Sequence, residues 1–559
     1  MNSDANSKRF HRLCDDILQG IWRSNPVIAT VLGMHQYDHT FGDMSAERQL
    51  GYAESFKDYR LALQSEIDPS LLGEEDLLDY HLALSLASSN YLMLACERPW
   101  EKNPSIYPSL GIWGCFLLMI REFAPFEDRM RSMLSRMREI PDMLMACRDN
   151  ISNPAPVFVQ IAHEVVPGAT AFFRDVVSQA AERLPAMEND LLIASQRALE
   201  AFLDYDRWLR GDGFADAKGD FAIGTDVYEQ KLFAEHYLTY SPNDLVLLAN
   251  RVLNNTQMEI REVAKAIDPT MSWQELVASL KKDHPPKDRL EATYRQAMQS
   301  ARQFVLDHDL VTFPADEYLD IGTTPEFERS MMPYAAYFPP APFESSKRGC
   351  FWVTPIDENA SEEQQRSQLE GHCVHSIPII ALHEGYPGHH VQLTKAMNTT
   401  SRIRRQMMNG LLVEGWALYC EELMREQGFY RDPRVELFQL KDLLWRACRV
   451  IIDVGLHTGQ MAFQEAVDML VNVAAIEEVN AVAEVKRYAM DPTQPMTYVI
   501  GKLLILDLKD RMKRRMGARF DLKAFHDQLL SYGSIPPALI AERMISGLVH
   551  EPAALRWSA

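Results

Sequence analysis

Hydrophobic residues recur at the spacing of α-helices along most of the chain, and alternating strand-like runs are few. The windows 191–205 and 245–267 show this period clearly. Ser241-Pro242 is typical of a helix start, and Gly517 follows a helical run in the manner of a helix end. The pattern therefore predicts a mainly α-helical fold with at most a small β element.

One segment breaks the helical pattern. Residues 313–355 are rich in Pro, Tyr, Phe, Ser and Gly, which predicts extended chain or short strands forming a rim, lid or small sheet. The rest divides into two predicted helical halves, residues 1–240 and 241–559, which we expect to interlock as one unit. The second half holds nearly all concentrated polar motifs, so we expect the chemistry there.

Composition narrows the classes of function. The 559 residues carry 57 Lys and Arg against 78 Asp and Glu, a net charge of −21, which argues against a nucleic-acid partner. No apolar run reaches the roughly 18 to 20 residues of a membrane span, so we expect a cytoplasmic protein without a membrane partner. The eight cysteines include no C-x-x-C pair, which disfavours a thiolate zinc site. No pattern predicts an oligomeric state.

Five of the 16 histidines lie between residues 372 and 390. The apolar run 377–382 predicts a buried helix that carries His383 and Glu384 into the interior, where an unpaired charge is costly. Such a pair needs a metal ion or a polar partner.

The spacing differs from the H-E-x-x-H motif, in which two histidines share one helix face. Pro387 stands at the fourth position after His383, so the helix must bend or be interrupted at Pro387-Gly388. If these two residues form a bulge, His389 takes the place of the second ligand. His390 is the alternative, and a kinked helix capped by histidines would need no metal.

A carboxylate from another helix would complete a metal site. Glu414 lies in LLVEGWALYCEEL, and Glu421, seven residues on, shares its helix face. Glu414 could bind the metal while Glu421 orients a ligand histidine, although a solvated acidic stripe is the alternative. A di-iron bundle is disfavoured because no histidine has Glu or Asp three residues before it. We expect one Zn²⁺ per chain, with the fourth position open for water.

A polar stripe follows Asp432-Pro433 on the next predicted helix. Arg446, Arg449, Asp453 and His457 share one face of it. The arginines are predicted to bind a substrate carboxylate, Asp453 to support the site, and His457 to donate to a developing oxyanion. A structural Arg-Asp ladder is the alternative.

Tyr498 follows Pro495 near the start of a further helix, and Gly501 allows another backbone to approach it closely. We predict that its phenol donates a hydrogen bond to the oxyanion. The alternative is a buried tyrosine that bonds a carbonyl group.

Four motifs, HEGYPGHHVQ, EGWALYCEEL, RACRVIIDVGLH and QPMTYVIGKLLI, resemble the bacterial domain-of-unknown-function 885 family. The resemblance implies a zincin-like, mostly helical fold similar to thimet oligopeptidase and carboxypeptidase Taq. It also implies His383, His389 or His390, and Glu414 as metal ligands, with Glu384 as general base. We expect no lipoprotein-type export signal of the kind many relatives carry, and WVTP at 352–355 replaces a more usual Asn-containing turn.

Together these features predict a zinc-dependent hydrolase of a peptide or amide bond. The arginines favour a small-molecule or short peptide substrate with a free carboxylate, as in a carboxypeptidase or dipeptidase. Two alternatives remain open: an inactive metal-bearing helical scaffold that binds a ligand, and a non-hydrolytic enzyme such as a lyase that uses the metal as a Lewis acid.

Overall fold

The computed structural model describes residues 3–211, 214, 217–324, 329 and 334–546. The chain is 72% helical with three short strands, so the predicted mainly α fold is confirmed. None of the described helices combines the length and the apolar character of a membrane span.

The helices of the N-terminal part pack in two groups. The first group lies near the chain start and the second around α7. Their bounds are α1 Ser3–Ser24, α2 Pro26–Leu32, α3 Ala46–Glu66, α4 Glu74–Leu92, α5 Pro99–Lys102, α6 Ile106–Ile120, α7 Phe126–Asn150, α8 Pro156–Ala171, α9 Val177–Glu182, α10 Glu188–Gly211 and α11 Thr225–His236.

The C-terminal part contains the helices that carry the predicted site. Their bounds are α12 Pro242–Ile267, α13 Trp273–Leu280, α14 Leu290–Asp307, α15 Glu362–Glu370, α16 Ile377–Glu384, α17 His389–Ala396, α18 Arg402–Gln406, α19 Gly410–Glu426, α20 Pro433–His457, α21 Phe463–Ala474, α22 Glu478–Met490, α23 Thr497–Met516, α24 Leu522–Ser531 and α25 Pro537–Ser546.

Local signals in the sequence explain where these helices begin and end. Ser241 caps α12 with a reciprocal hydrogen-bond pair to Asp244, and Asp432 caps α20. Gly517 ends α23 with a φ of +56°, a backbone region that favours glycine. The helix boundaries predicted at these positions are confirmed.

A three-stranded sheet occupies part of the segment predicted to be extended. Its strands are β1 Tyr318–Thr323, β2 Ala335–Phe338 and β3 Arg348–Val353, in the order β1-β3-β2. β1 is parallel to β3, and β2 is antiparallel to it at the edge. The predicted small β element is therefore confirmed, while residues 325–328 and 330–333 of the segment lie outside the described residues.

Among the described residues, three large clusters of buried hydrophobic residues and one small one, around Phe158, form the interior. The first joins α1, α3 and α4 to α14, the sheet and α24. The second lies among α11, α12, α20, α21 and α23, and the third among α6 to α10. Both predicted halves contribute to the first cluster, and the position of a division near residue 240 stays a prediction.

α19 is the central helix of the site region, since it contacts α16, α17 and α23. Where α19 crosses α23, the two backbones come close together at Gly415 and Gly501. A Cβ at Gly415 would lie 2.5 Å from the Gly501 carbonyl carbon, and one at Gly501 would lie 2.0 Å from the Leu411 oxygen. Neither position has room for a side chain.

We expect Gly501→Ala to lower the free energy of unfolding by about 1–3 kcal/mol, because the added methyl group forces α19 and α23 apart. Gly51→Ala is the matched control. Gly51 lies within α3 with nothing near the added Cβ, so this change is expected to stabilise by about 0.5–1 kcal/mol. Chemical denaturation of both variants measures the difference, and equal effects would contradict the close approach.

Candidate metal centre

The helix that carries His383 is interrupted where the sequence predicts it. α16 ends at Glu384 and α17 begins at His389, with a cis Tyr386-Pro387 peptide bond between them. A Cβ on Gly388 would lie 1.9 Å from the His383 carbonyl oxygen, so the turn requires glycine. The Trp416 indole of α19 donates to the Pro387 carbonyl at 2.9 Å and holds the turn against α19.

This interruption brings His383, Glu384 and His389 together. One potential ligand atom from each lies within 4.8 Å of the other two. The imidazole rings of His383 and His389 meet edge to face, with centroids 4.8 Å apart. The bulge therefore does place His389 beside His383, as predicted.

α19 supplies two carboxylates, one to each histidine. Glu421 Oε1 accepts from His383 Nδ1 at 2.8 Å, and both side chains are buried. Because His383 donates through Nδ1, its Nε2 keeps a free lone pair, the form in which imidazole binds a metal. Glu414 Oε2 lies 3.3 Å from His389 Nε2. The two glutamates, seven residues apart on α19, thus each contact one of the two histidines.

The charged forms of Glu414 and His389 stabilise each other. Burial opposes ionisation of Glu414, but His389, His383 and Arg449 outweigh it and hold the pKa of Glu414 at about 2. Burial likewise opposes protonation of His389, yet the Glu414 carboxylate raises the pKa of His389 above its ordinary value. Glu414 is therefore ionised at neutral pH and available as an anionic ligand.

These residues fit a zinc-type ion. Two imidazoles and a carboxylate are a common zinc donor set, and an outer carboxylate such as Glu421 commonly orients a ligand histidine. His389 Nδ1 is buried and has no hydrogen-bond partner among the described residues. Glu384 forms no hydrogen bond or ion pair within the described part of the chain, so its carboxylate is available beside the two histidines.

His390, the alternative ligand, is engaged elsewhere. It is fully buried, its Nε2 donates to Glu317 Oε2 at 2.9 Å, and its Nδ1 accepts from the Tyr337 hydroxyl at 3.1 Å. Glu317 also accepts from the Tyr386 hydroxyl at 2.9 Å and from Arg302 at 3.0 Å. Both ring nitrogens of His390 are occupied, so the geometry favours His389.

The Arg449 guanidinium packs on the Tyr498 ring, and its charge acts on Glu414. The Arg449 guanidinium lies 4.6 Å from the Tyr498 ring centroid. Burial raises the pKa of Tyr498, and the negative charge of Glu414 raises it further. The Tyr498 hydroxyl has no hydrogen-bond partner in the part of the chain that the structure describes. Tyr498 therefore lies within electrostatic reach of Glu414, and its phenol is free among the described residues.

The two predicted substrate-binding arginines differ in their surroundings. Arg449 donates to the Tyr488 hydroxyl at 2.8 Å and to Glu484 at 3.1 Å, so its guanidinium is largely occupied. Arg446 has one long ion pair, 3.4 Å to Asp442, and its buried Nε has no partner among the described residues. Arg446 is the freer of the two.

Asp453 and His457 do not match their predicted roles. His457 is fully buried, and its Nε2 donates to the Tyr488 carbonyl at 2.9 Å. Burial lowers the pKa of His457 to about 4 and raises that of Asp453 to about 7. Asp453 accepts from the Tyr228 hydroxyl at 2.8 Å and contacts no residue of the cluster. We correct both assignments: Asp453 and His457 lie in the dry interior, where they contact Tyr228 and Tyr488 rather than the cluster.

Sequence reasoning missed three residues that shape this region: Glu317, Tyr337 and Tyr488. Tyr337 comes from edge strand β2, and its hydroxyl reaches His390. The negative charge of Glu384 contributes to raising the pKa of Tyr337, after burial, so the phenol lies near the cluster. The aromatic content of residues 313–355 was the only signal for Glu317 and Tyr337, and it does not extend to Tyr488, because spacing links none of the three to the histidines.

A family model described as a bacterial protein of unknown function (DUF885) matches residues 26–544. The chain belongs to the DUF885 family. This confirms the family to which its motifs pointed, whereas the resemblance to thimet oligopeptidase stays an expectation. No functionally curated protein matches the sequence.

Two solved structures share the fold of this DUF885 protein. One is named a "putative lipoprotein of unknown function" from Shewanella oneidensis, with 26% identity, a TM-score of 0.79, and coverage of 96% of this chain and 99% of that one. The other, named a "putative lipoprotein" from Colwellia psychrerythraea, has 18% identity, a TM-score of 0.81 and the same coverage. These names leave the expectation of a cytoplasmic protein unconfirmed.

We expect Glu317→Gln to lower the free energy of unfolding by about 3–5 kcal/mol at pH 7, because three donors lose a buried anionic acceptor. Burial opposes ionisation of Glu317, but its hydrogen bonds, with His390 first, lower its pKa. The stabilisation is therefore present above the ordinary glutamate pKa of about 4.3 and is lost as pH falls below it.

Thermal unfolding of wild type and variant from pH 7 to about pH 3 measures this difference, because the loss falls below the ordinary glutamate pKa. The exposed Glu363→Gln on α15 is the control and should change little at any pH. A difference between wild type and Glu317→Gln that grows on acidification would contradict the assigned role of Glu317.

Proposed function

We propose that this DUF885 protein is a zinc-dependent hydrolase of a peptide or amide bond. The observation that carries the proposal is the meeting of His383, Glu384 and His389 within 4.8 Å of one another. The His383–Glu421 hydrogen bond supports it, because it leaves Nε2 of His383 free to bind a metal. The motif resemblance to zincin-like metallopeptidases points the same way.

His383, His389 and Glu414 would hold one Zn²⁺. When bound, the ion supplies two effects: it lowers the pKa of a water molecule to about 7, and it polarises a substrate carbonyl group. His383 and His389 are buried and Glu414 is half-buried, which supports this assignment, since charged side chains removed from water need a counter-charge.

Glu384 is the proposed general base. Its carboxylate lies beside both histidines and has no partner among the described residues, so it is free to accept a proton from water. It then returns that proton to the leaving nitrogen. Attack by the water oxygen forms the new C–O bond, and the C–N bond breaks as the nitrogen is protonated.

Tyr498 is the proposed donor to the oxyanion, because its phenol is free and lies next to Glu414. Arg446 is the proposed contact for a substrate carboxylate, since its guanidinium has unused donors. Arg449 positions Tyr498, since its guanidinium covers the phenol ring. A free carboxylate on a short substrate suits this arrangement.

We expect purified protein to contain about one zinc per chain by elemental analysis. His383→Ala, His389→Ala and Glu414→Ala should each lose the metal, because each removes one of three ligands. His390→Ala is the matched control, being the adjacent imidazole, and should keep it. If His390→Ala loses zinc and His389→Ala keeps it, His390 rather than His389 is the metal ligand. Absence of zinc from reconstituted wild type would favour a metal-free binding scaffold.

We expect Glu384→Gln to lower turnover by about 10²- to 10⁴-fold while zinc content is unchanged, since the amide keeps the shape but loses the base. Peptides with free and amidated C-termini, incubated in ¹⁸O-labelled water, provide the assay by mass spectrometry.

One ¹⁸O atom in the product carboxylate identifies hydrolysis, whereas cleavage without incorporation identifies a lyase. The exposed Glu363→Gln serves as control and should retain wild-type turnover. Full activity of Glu384→Gln would exclude Glu384 as the base.

A further inference from the structure

A cavity lies away from the candidate metal centre. Its volume is about 380 Å³, within the range of small-molecule sites. α6, β2, β3, the C-terminal part of α17 and the segment before α19 form its walls. None of His383, Glu384, His389 or Glu414 lines it.

Large apolar side chains make up much of this cavity's wall. They come from three separate parts of the chain: the outer face of the sheet, α17, and the residues before α19. The principal ones are Phe338, Trp352, Leu393, Met397 and Met407. Aromatic rings and methionines from several elements adapt to apolar groups of varied shape, so the wall suits the apolar body of an organic molecule.

The cavity is separate from the metal centre but shares two elements with it. Leu393 and Met397 follow His389 on α17 by one and two turns. On β2, Phe338 follows Tyr337, and successive side chains of a strand point to opposite faces. Tyr337 reaches His390 on the inner face, so Phe338 faces the cavity on the outer face.

Four arginines line the cavity, and three of them are neutralised by carboxylates. Arg121 pairs with Glu344 at 3.1 Å, and Arg348 pairs with Asp320 at 2.6 Å. Arg404 pairs with two acids that do not line the cavity, Glu75 and Asp79, each at 2.7 Å. These three charges are balanced without a ligand.

Arg405 is the exception. Its Nε donates to the Thr399 carbonyl at 2.8 Å, and no acidic side chain pairs with it anywhere in residues 3–211, 217–324 or 334–546. Its two terminal nitrogens have no hydrogen-bond partner among the same residues. A half-buried, unpaired guanidinium is unexpected in a chain of net charge −21, and its planar donors suit a carboxylate or sulfonate.

We propose that this cavity binds a small organic anion with an apolar body, its acidic group on Arg405 and its apolar part against Phe338, Trp352 and Met397. The combination of an apolar wall with one arginine that has no paired acid among the described residues carries the proposal. The site is independent of zinc binding and of hydrolysis.

Fluorescence titration of the full-length protein with 8-anilinonaphthalene-1-sulfonate tests the proposal. The expected stoichiometry is one probe per chain. Arg405→Gln should raise the dissociation constant about tenfold or more, because it removes a charge-assisted contact. Arg405→Lys, which keeps the charge, should bind within about threefold of wild type.

N-phenyl-1-naphthylamine, the same ring system without the sulfonate, is the matched uncharged probe. Its affinity should be equal in wild type and Arg405→Gln. Arg402→Gln is the control variant, since Arg402 lies on the same helix α18 but does not line the cavity. This variant should bind both probes as wild type does.

Ala396→Trp fills the cavity from α17 and should abolish binding of both probes, while circular dichroism verifies that each variant is folded. The proposal is wrong if wild type does not bind the sulfonate, if Arg405→Gln binds it as tightly as wild type, or if Ala396→Trp leaves the binding of both probes unchanged.

Discussion

The buried hydrogen bond between His383 and Glu421 is the interaction on which the candidate centre depends. It joins the end of α16 to the middle of α19 and determines which nitrogen of His383 carries the proton. Seven residues earlier on α19, Glu414 pairs with His389, the first residue of α17. Two glutamates on one continuous helix therefore each contact one of two histidines that lie on either side of an interrupted helix.

Much of this centre follows from the sequence because its determinants are local. Pro387 cannot continue the helix and Gly388 has no room for a side chain, so the interruption was predictable from two residues. The helix period likewise predicts that Glu414 and Glu421 lie on one face of α19. The bulge favours His389 over His390, but what occupies His390 was not predictable, because it depends on Glu317 and Tyr337, which only the folded chain brings near.

The polar stripe on α20 shows the limit of helix periodicity. Four polar residues on one face predict a shared environment, yet Arg446 is half-buried beside Asp442 whereas Asp453 and His457 are fully buried. Periodicity gives direction around the helix axis but not depth beneath the surface. The partners that make the inner end dry, Tyr228 and the Tyr488 carbonyl, come from α11 and α22.

The contact between Gly415 and Gly501 links two functional candidates through backbone alone. Gly415 directly follows Glu414, and Gly501 lies three residues after Tyr498, so the helix separation at this crossing determines how far the carboxylate lies from the phenol. A relative that gained a side chain at one glycine would move both groups apart. In the evolution of the family, these two positions should consequently change together or not at all, and they offer a marker of members that keep the same arrangement.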